Sequence, residues 1–148
     1  MKVRRAEHAD EEALAVIRRR AILALAGSAA SAEEAMRWAN SAQPDRIERA
    51  IREHEVWVAE DVAVGWVEIA RDRVAGLYVA PPFAGRGIGS ELLSLAEASI
   101  RGSGHAAVRL EASRNALEFY LRRGYRRSGR DLPDGSHPVR KDLAALRA

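Results

Sequence analysis

The chain has 148 residues, of which 47% are hydrophobic and 30% charged, a composition typical of a globular protein of one domain. It contains no cysteine, which excludes disulfides, cysteine nucleophiles and thiolate metal sites. The net charge of +3 comes from basic residues dispersed among acidic ones, a pattern that argues against nucleic-acid binding, and charges interrupt every apolar run before it could span a membrane. Since the start of the chain also lacks a secretion signal, we expect a cytoplasmic protein with a single domain over residues 1–148.

The first third of the chain is predicted to be mostly helical. A short strand at residues 2–6 precedes a first helix, which begins at acidic residues and has apolar side chains at helical spacing. Gly27 is its predicted end. Ser31 and Glu34 form a capping-box pattern for a second helix, and Pro44 suits the first turn of a third.

The pattern changes to strands at Val56. Residues 56–59 and 62–69 are rich in β-branched and aromatic side chains, and the link between them is short enough for a hairpin. A third strand, at residues 74–79, is nearly all apolar, which predicts that both its faces are covered. Pro81 ends it because proline cannot donate to a strand ladder.

The rest of the chain alternates helices and strands. Apolar residues at helical spacing predict a helix over residues 88–102. A strand at 106–111, a short helix at 115–123 and a last antiparallel pair at 125–130 and 137–143 follow. This order of elements predicts a mixed α/β protein with a largely antiparallel sheet.

A glycine-rich turn lies between the strand predicted at residues 74–79 and the helix predicted over residues 88–102. Its sequence, Gly85-Arg86-Gly87-Ile88-Gly89, suits phosphate binding, because free amides and a positive dipole meet at a helix start. A Walker loop would need Gly-Lys-Ser/Thr, and a dinucleotide fingerprint would need G-x-G-x-x-G in a βαβ unit. Neither pattern is present. The turn alone leaves open a flexible loop whose glycines only serve the tight turn.

The surroundings of the turn narrow its interpretation. Residues 77–93, LYVAPPFAGRGIGSELL, strongly resemble the acetyl-CoA signature of the GCN5-related N-acetyltransferases. Residues 110–125 resemble the second signature of that family, and the order of elements is similar along essentially the whole chain. The resemblance implies an α/β fold with a mixed, largely antiparallel central sheet of about seven strands flanked by helices. Strands 4 and 5 would splay around the CoA cleft.

The resemblance also implies a binding site for acetyl-CoA without a metal. In the family, amides of the turn hold the CoA diphosphate, and backbone groups of the preceding strand bind the pantetheine arm and polarise the thioester carbonyl. This chain has Ala84 where Gln or Arg is usual, so one side-chain contact is lost, and Arg86 is positioned in sequence to replace it. The implied binding residues are Leu77, Tyr78, Val79, Gly85, Arg86, Gly87, Ile88, Gly89, Ser90 and Asn115.

Tyr120 matches the general acid of the family, which protonates the departing thiolate. The general base is left open between Glu68 and Glu111, each an acidic residue within an otherwise apolar strand. The expected reaction is direct attack of an amine on the thioester, with a small-molecule amine favoured as acceptor and a protein N-terminus or lysine as the alternative. A non-catalytic CoA-binding sensor is a third possibility, which the presence of Tyr120 disfavours. We expect a monomer or a homodimer.

Overall fold

The computed structural model describes residues 1–24 and 32–144. Its strands, in chain order, are β1 (Val3–Arg5), β2 (Glu55–Ala59), β3 (Gly65–Ala70), β4 (Arg73–Val79), β5 (Ala107–Ala112), β6 (Arg126–Arg127) and β7 (His137–Asp142). Its helices are α1 (Glu11–Ala24), α2 (Ala32–Asn40), α3 (Arg46–Glu53), α4 (Ile88–Gly102) and α5 (Leu117–Leu121). Short 3₁₀ turns at His8–Asp10 and Pro81–Phe83 precede α1 and the glycine-rich turn.

The strands of the described chain form one sheet in the order β1-β2-β3-β4-β5-β7-β6. Neighbouring strands are antiparallel except β4 and β5, which are parallel. The parallel pair arises because α4 carries the chain from the end of β4 back to the start of β5, the usual connection between parallel strands. The predicted seven-stranded, largely antiparallel sheet with flanking helices is confirmed.

The two faces of the sheet bury separate apolar cores, because successive strand residues point to opposite sides. Val67 and Ile69 of β3 face α4 and join its buried leucines. Trp66, between α1 and the sheet, is fully buried and donates its indole N–H to the Leu14 carbonyl at 3.1 Å. The sheet is therefore covered on both sides, with α4 on one face and α1 and α3 on the other.

The prediction that β4 is covered on both faces is wrong. Val74 and Gly76 are buried, but the remaining residues of β4 are only half-buried. The apolar side chains of this strand line an open cleft, so its composition is explained by the cleft as well as by the core.

Several element boundaries also differ from the predictions. β3 begins at Gly65 and not at residue 62, since the preceding residues form a turn in which Val62 is 84% exposed. The helix predicted over residues 115–123 is limited to α5, and the first strand of the last pair is only two residues long. The predicted helix end at Gly27 and the cap at Ser31 lie outside the described residues.

Candidate active site

A cleft opens between β4 and β5. The two strands are in register only at Arg73 and Arg109, whereas β5 pairs with β7 along its whole length. Beyond this point the strands diverge and border a cavity of about 300 Å³, lined by residues 74–79 on one side and 110–113 on the other. β3 pairs with one edge of β4. The other edge, on the side of β5, therefore presents its backbone N–H and C=O groups to the cleft.

The glycine-rich turn follows β4 at the mouth of this cleft. Gly85 and Gly87 have φ angles of 77° and 85°, a left-handed conformation that other residues rarely adopt. A Cβ atom at either position would have no described atom within 4 Å, so there is open space beside the turn. These two glycines are therefore required by backbone conformation, and they leave the turn accessible.

Gly87 is also the N-cap of α4. The N–H of Glu91 donates to the Gly87 carbonyl at 3.0 Å and starts the hydrogen-bond ladder of the helix. The three amides before Glu91 have no place in that ladder and lie at the positive end of the helix dipole. An anion bound at the turn would satisfy them.

Tyr120 reaches the cleft from α5. Its side chain is nearly fully buried and lines the cavity, and its ring packs edge-on against Phe119 and Tyr125, with centroids 5.1 and 5.6 Å away. Burial, reinforced by the nearby Tyr78, raises the pKa of the Tyr120 hydroxyl well above its usual value. The hydroxyl therefore keeps its proton at neutral pH and can act as a donor.

The two carboxylates predicted as candidate bases occupy different environments. Glu111 lines the cleft, and its side chain is 36% exposed. Its Oε2 atom lies 3.3 Å from Nη1 of Arg73, across the splayed pair of strands. Glu111 is thus placed beside the cavity by an ion pair that leaves the carboxylate accessible.

Glu68 lies apart from the cleft, on the face of β3 that is covered by α1 and α3. Its side chain is 5% exposed. It contacts the guanidinium of Arg46, with Nη1 at 3.0 Å, and the imidazole of His54, with Nδ1 at 2.6 Å. These groups border a separate cavity that shares Ala75 with the cleft. The structure therefore does not bring Glu68 and Glu111 together.

A second cavity, of about 260 Å³, adjoins the cleft on the side away from α4. Both cavities are lined by Ile22, Tyr78, Glu111 and Ser113. The second cavity adds polar and aromatic groups from α1, from the end of α2 and the residue after it, and from the segment before β7, namely Arg18, Trp38, Ser41, Asp134 and Ser136. The second cavity therefore meets the cleft at Tyr78 and Glu111.

Arg123, a residue that sequence reasoning missed, lies against the first turn of α4. Its Nε and Nη2 atoms donate to Oγ of Ser90 at 2.9 and 2.6 Å, and Nη1 donates to the Phe119 carbonyl at 2.8 Å. Its guanidinium carbon is 3.7 Å from the centroid of the Phe119 ring. Since Ser90 and Arg123 are 33 positions apart, no local pattern in the sequence predicts their contact.

The remaining predicted residues surround the same cleft or its mouth. Leu77, Tyr78 and Val79 belong to the lining strand. Arg86 is exposed, with its guanidinium carbon 5.3 Å from the Phe83 ring centroid. Asn115 is half-buried and lies two residues before the start of α5.

The described residues contain no group of three or more acidic or histidine side chains arranged to bind a metal ion. Within the same residues, none of the helices has the length and apolar character that crossing a membrane requires.

Comparisons with known proteins agree with the fold. The family model for the acetyltransferase (GNAT) domain matches residues 27–134. A GCN5-related N-acetyltransferase from Rhodopseudomonas palustris is 25% identical, with a TM-score of 0.85 over 96% of this chain and 95% of that one. Among curated proteins, none matches the chain significantly.

Some of the similar structures contain coenzyme A or acetyl-CoA. The PaiA N-acetyltransferase of Thermoplasma acidophilum, in complex with coenzyme A, is 20% identical, with a TM-score of 0.76 over 96% of this chain and 98% of that one. YncA of Salmonella typhimurium, with its cofactor acetyl-CoA, is 20% identical, with a TM-score of 0.66 over 100% of this chain and 96% of that one.

A seven-stranded sheet that splays beside a glycine-capped helix defines the class of acyl-CoA-dependent transferases to which these structures belong. The chain belongs to the GNAT acetyltransferase family. It is an N-acetyltransferase that uses acetyl-CoA and transfers the acetyl group to an amine.

Proposed function

We propose that the protein transfers the acetyl group of acetyl-CoA to the amine of a small molecule. The observation that carries this proposal is the continuity of the cleft. β4 forms one wall, the open glycine turn lies where β4 ends, and Tyr120 contributes to the opposite wall. A long ligand with a phosphate at one end and a reactive group at the other would fit this arrangement.

The residues of the cleft suit the parts of acetyl-CoA. Backbone amides of residues 85–90 would hold the diphosphate at the positive end of the α4 dipole. The free edge of β4 at residues 77–79 would hydrogen-bond to the amides of the pantetheine arm, and Asn115 would contact the arm from the opposite side. None of these contacts requires a side chain to move away from the open turn, because Gly85 and Gly87 leave it accessible.

The chemistry then requires a polarised carbonyl and a proton donor. When bound, acetyl-CoA supplies an activated acetyl group, which the amine attacks directly without a covalent enzyme intermediate. A backbone N–H of β4 would polarise the thioester carbonyl. Tyr120, which its buried environment keeps protonated, would donate its proton to the departing thiolate.

Glu111 is the better placed of the two candidate bases. It lines both the cleft and the adjoining cavity, so it can accept the proton of the amine directly or through a water molecule. Glu68 is held by Arg46 and His54 in a different cavity. We therefore assign to Glu68 the structural role of compensating the charge of Arg46.

The adjoining cavity supports a small polar acceptor. Its volume of about 260 Å³ is close to the lower limit of small-molecule sites, and its lining carries charges of both signs. Trp38 of α2 contributes an aromatic wall that can pack on the carbon skeleton of the acceptor.

A thiol-release assay with acetyl-CoA tests this function. The panel should contain small polar amines, amino acids and polyamines on one side, and peptides with free N-termini or lysines on the other. We expect turnover with at least one small amine and none with the peptides. Turnover with peptides alone would contradict the small-molecule assignment, and CoA binding without turnover on either set would indicate a sensor.

A further inference from the structure

Among the described residues, Arg123 has no acidic partner that balances its charge. Arg122, its neighbour, forms an ion pair with Glu118 at 3.2 Å. In the described part of the chain no carboxylate lies within ion-pairing distance of Arg123, and the residues outside it include no Asp or Glu. A half-buried arginine held without a counter-charge is suited to bind an anion.

Arg123 also retains hydrogen-bonding capacity. A guanidinium has five N–H donors. One on Nε and one on Nη2 are used by Ser90 Oγ, and one on Nη1 is used by the Phe119 carbonyl. Two donors, one on each terminal nitrogen, have no acceptor among the described residues. A phosphate can accept two parallel hydrogen bonds from such a pair.

The side chain is fixed beside the glycine turn. Ser90 is the third residue of α4, so its amide belongs to the group that lacks an intrahelical partner. A Cβ at Gly89 would lie 3.5 Å from the Phe119 ring, on which the Arg123 guanidinium stacks. The first turn of α4, the Phe119 ring and the Arg123 guanidinium are therefore in mutual contact.

We propose that Arg123 binds the diphosphate of acetyl-CoA and replaces the side-chain contact that Ala84 lacks. This inference rests on the proposed binding of the diphosphate at the turn. Arg123 is better suited than Arg86, which the sequence suggested for this role. Arg86 is exposed and contacts only the Phe83 ring among described residues, whereas three hydrogen bonds and a stacked ring fix Arg123 in advance.

Calorimetric binding of three ligands tests the proposal. CoA carries the diphosphate and a 3′-phosphate, 3′-dephospho-CoA carries the diphosphate alone, and pantetheine carries neither. We expect Arg123→Gln to weaken binding of CoA and of 3′-dephospho-CoA by the same factor, about tenfold or more, because charged hydrogen bonds are lost. Pantetheine affinity should not change.

Arg122→Gln is the matched control. It removes one positive charge at the neighbouring position, where the arginine side chain is exposed and paired with Glu118. It should leave all three affinities unchanged. Arg123→Lys should recover part of the loss, since it keeps the charge without the paired donors.

Three outcomes would overturn the proposal. Unchanged CoA affinity in Arg123→Gln would show that the guanidinium does not contact the ligand. Equal loss for pantetheine would indicate a structural role, and a loss for CoA alone would assign the contact to the 3′-phosphate. If the unmodified protein bound CoA no better than pantetheine, the placement of the diphosphate at the turn would fail as well.

Discussion

At the residue scale, two buried tyrosines that pack against each other have different surroundings. Tyr120 lines the cleft, whereas the hydroxyl of Tyr125, whose ring packs against it, donates to Oε2 of Glu97 at 2.7 Å on α4. Lys141 of β7 also donates to the Glu97 carboxylate, at 3.2 Å to each oxygen. Tyr125 therefore connects α4 to the sheet, whereas Tyr120 lines the cleft and is the tyrosine that we propose as the proton donor.

Tyr120→Phe should lower kcat by about 100-fold or more, because general acids contribute at this level. KM for acetyl-CoA should change little, since the ring and its packing are retained. The pH profile gives a second measurement. A general acid must be protonated, and burial raises the pKa of Tyr120, so kcat should not fall with rising pH near a usual tyrosine pKa of about 10.

Tyr125→Phe is the control for this variant. It removes a hydroxyl that is bonded to Glu97, so we expect a loss of about 1–3 kcal/mol in the free energy of unfolding with kcat retained. The assignment of Tyr120 would be wrong if Tyr120→Phe kept the full rate, or if both variants lost rate equally.

Glu111→Gln and Glu68→Gln should separate catalysis from stability. We expect Glu111→Gln to lower kcat/KM by about 100-fold, with at most about 1 kcal/mol lost in stability, because its ion pair is partly exposed. Glu68→Gln should lower the free energy of unfolding by about 1–3 kcal/mol, because Arg46 and His54 would lose a buried charged partner. Urea unfolding and steady-state kinetics measure both quantities. The reverse pattern would transfer the role of base to Glu68.

At the scale of the element, α4 begins and ends with glycines that have different functions. Gly87 has a φ of 85°, whereas Gly102 lies within the helix, and a Cβ there would meet no described atom within 4 Å. The first glycine permits a backbone conformation that other residues disfavour, and the second only adds freedom to the unfolded chain.

Gly87→Ala should therefore destabilise the protein by about 1–2 kcal/mol through left-handed strain, and weaken CoA binding because the start of α4 is displaced. Gly102→Ala, at the other end of the same helix, should stabilise it by about 0.5–1 kcal/mol without affecting CoA. Thermal unfolding and CoA titration of both variants test this. Equal effects of the two substitutions would show that the backbone conformation at Gly87 is not required.

The accuracy of sequence-based prediction also varied by element. The order of strands and helices and the glycine turn were predictable, because periodicity and turn residues are local. Contacts across the sheet were not. The pairing of Glu68 with Arg46 and His54 depends on how α3 packs on the sheet, and the contact of Arg123 with Ser90 depends on how the chain after α5 lies against α4. β4 is only partly buried because it diverges from β5, and no pattern within the strand encodes that divergence.

At the scale of the whole molecule, a narrow connection joins the two parts of the sheet. The strands β1 to β4 form a continuous antiparallel ladder, as do β5, β7 and β6, but the two ladders share one register pair, between Arg73 and Arg109. α4 packs across both parts. A ligand in the cleft would bridge strands that otherwise have little direct hydrogen bonding to each other, so its binding should stabilise the whole fold.

CoA at about 100 times its dissociation constant should raise the free energy of unfolding by about 2.7 kcal/mol. For a protein of this size that corresponds to an increase in Tm of about 5–10 °C. Amide hydrogen exchange should slow at the free edge of β4 and at the first turn of α4, because those N–H groups would gain acceptors. ATP at the same concentration is the control for anions in general. If ATP gave the same shift, or if exchange slowed away from the cleft, CoA would not bridge the two parts of the sheet.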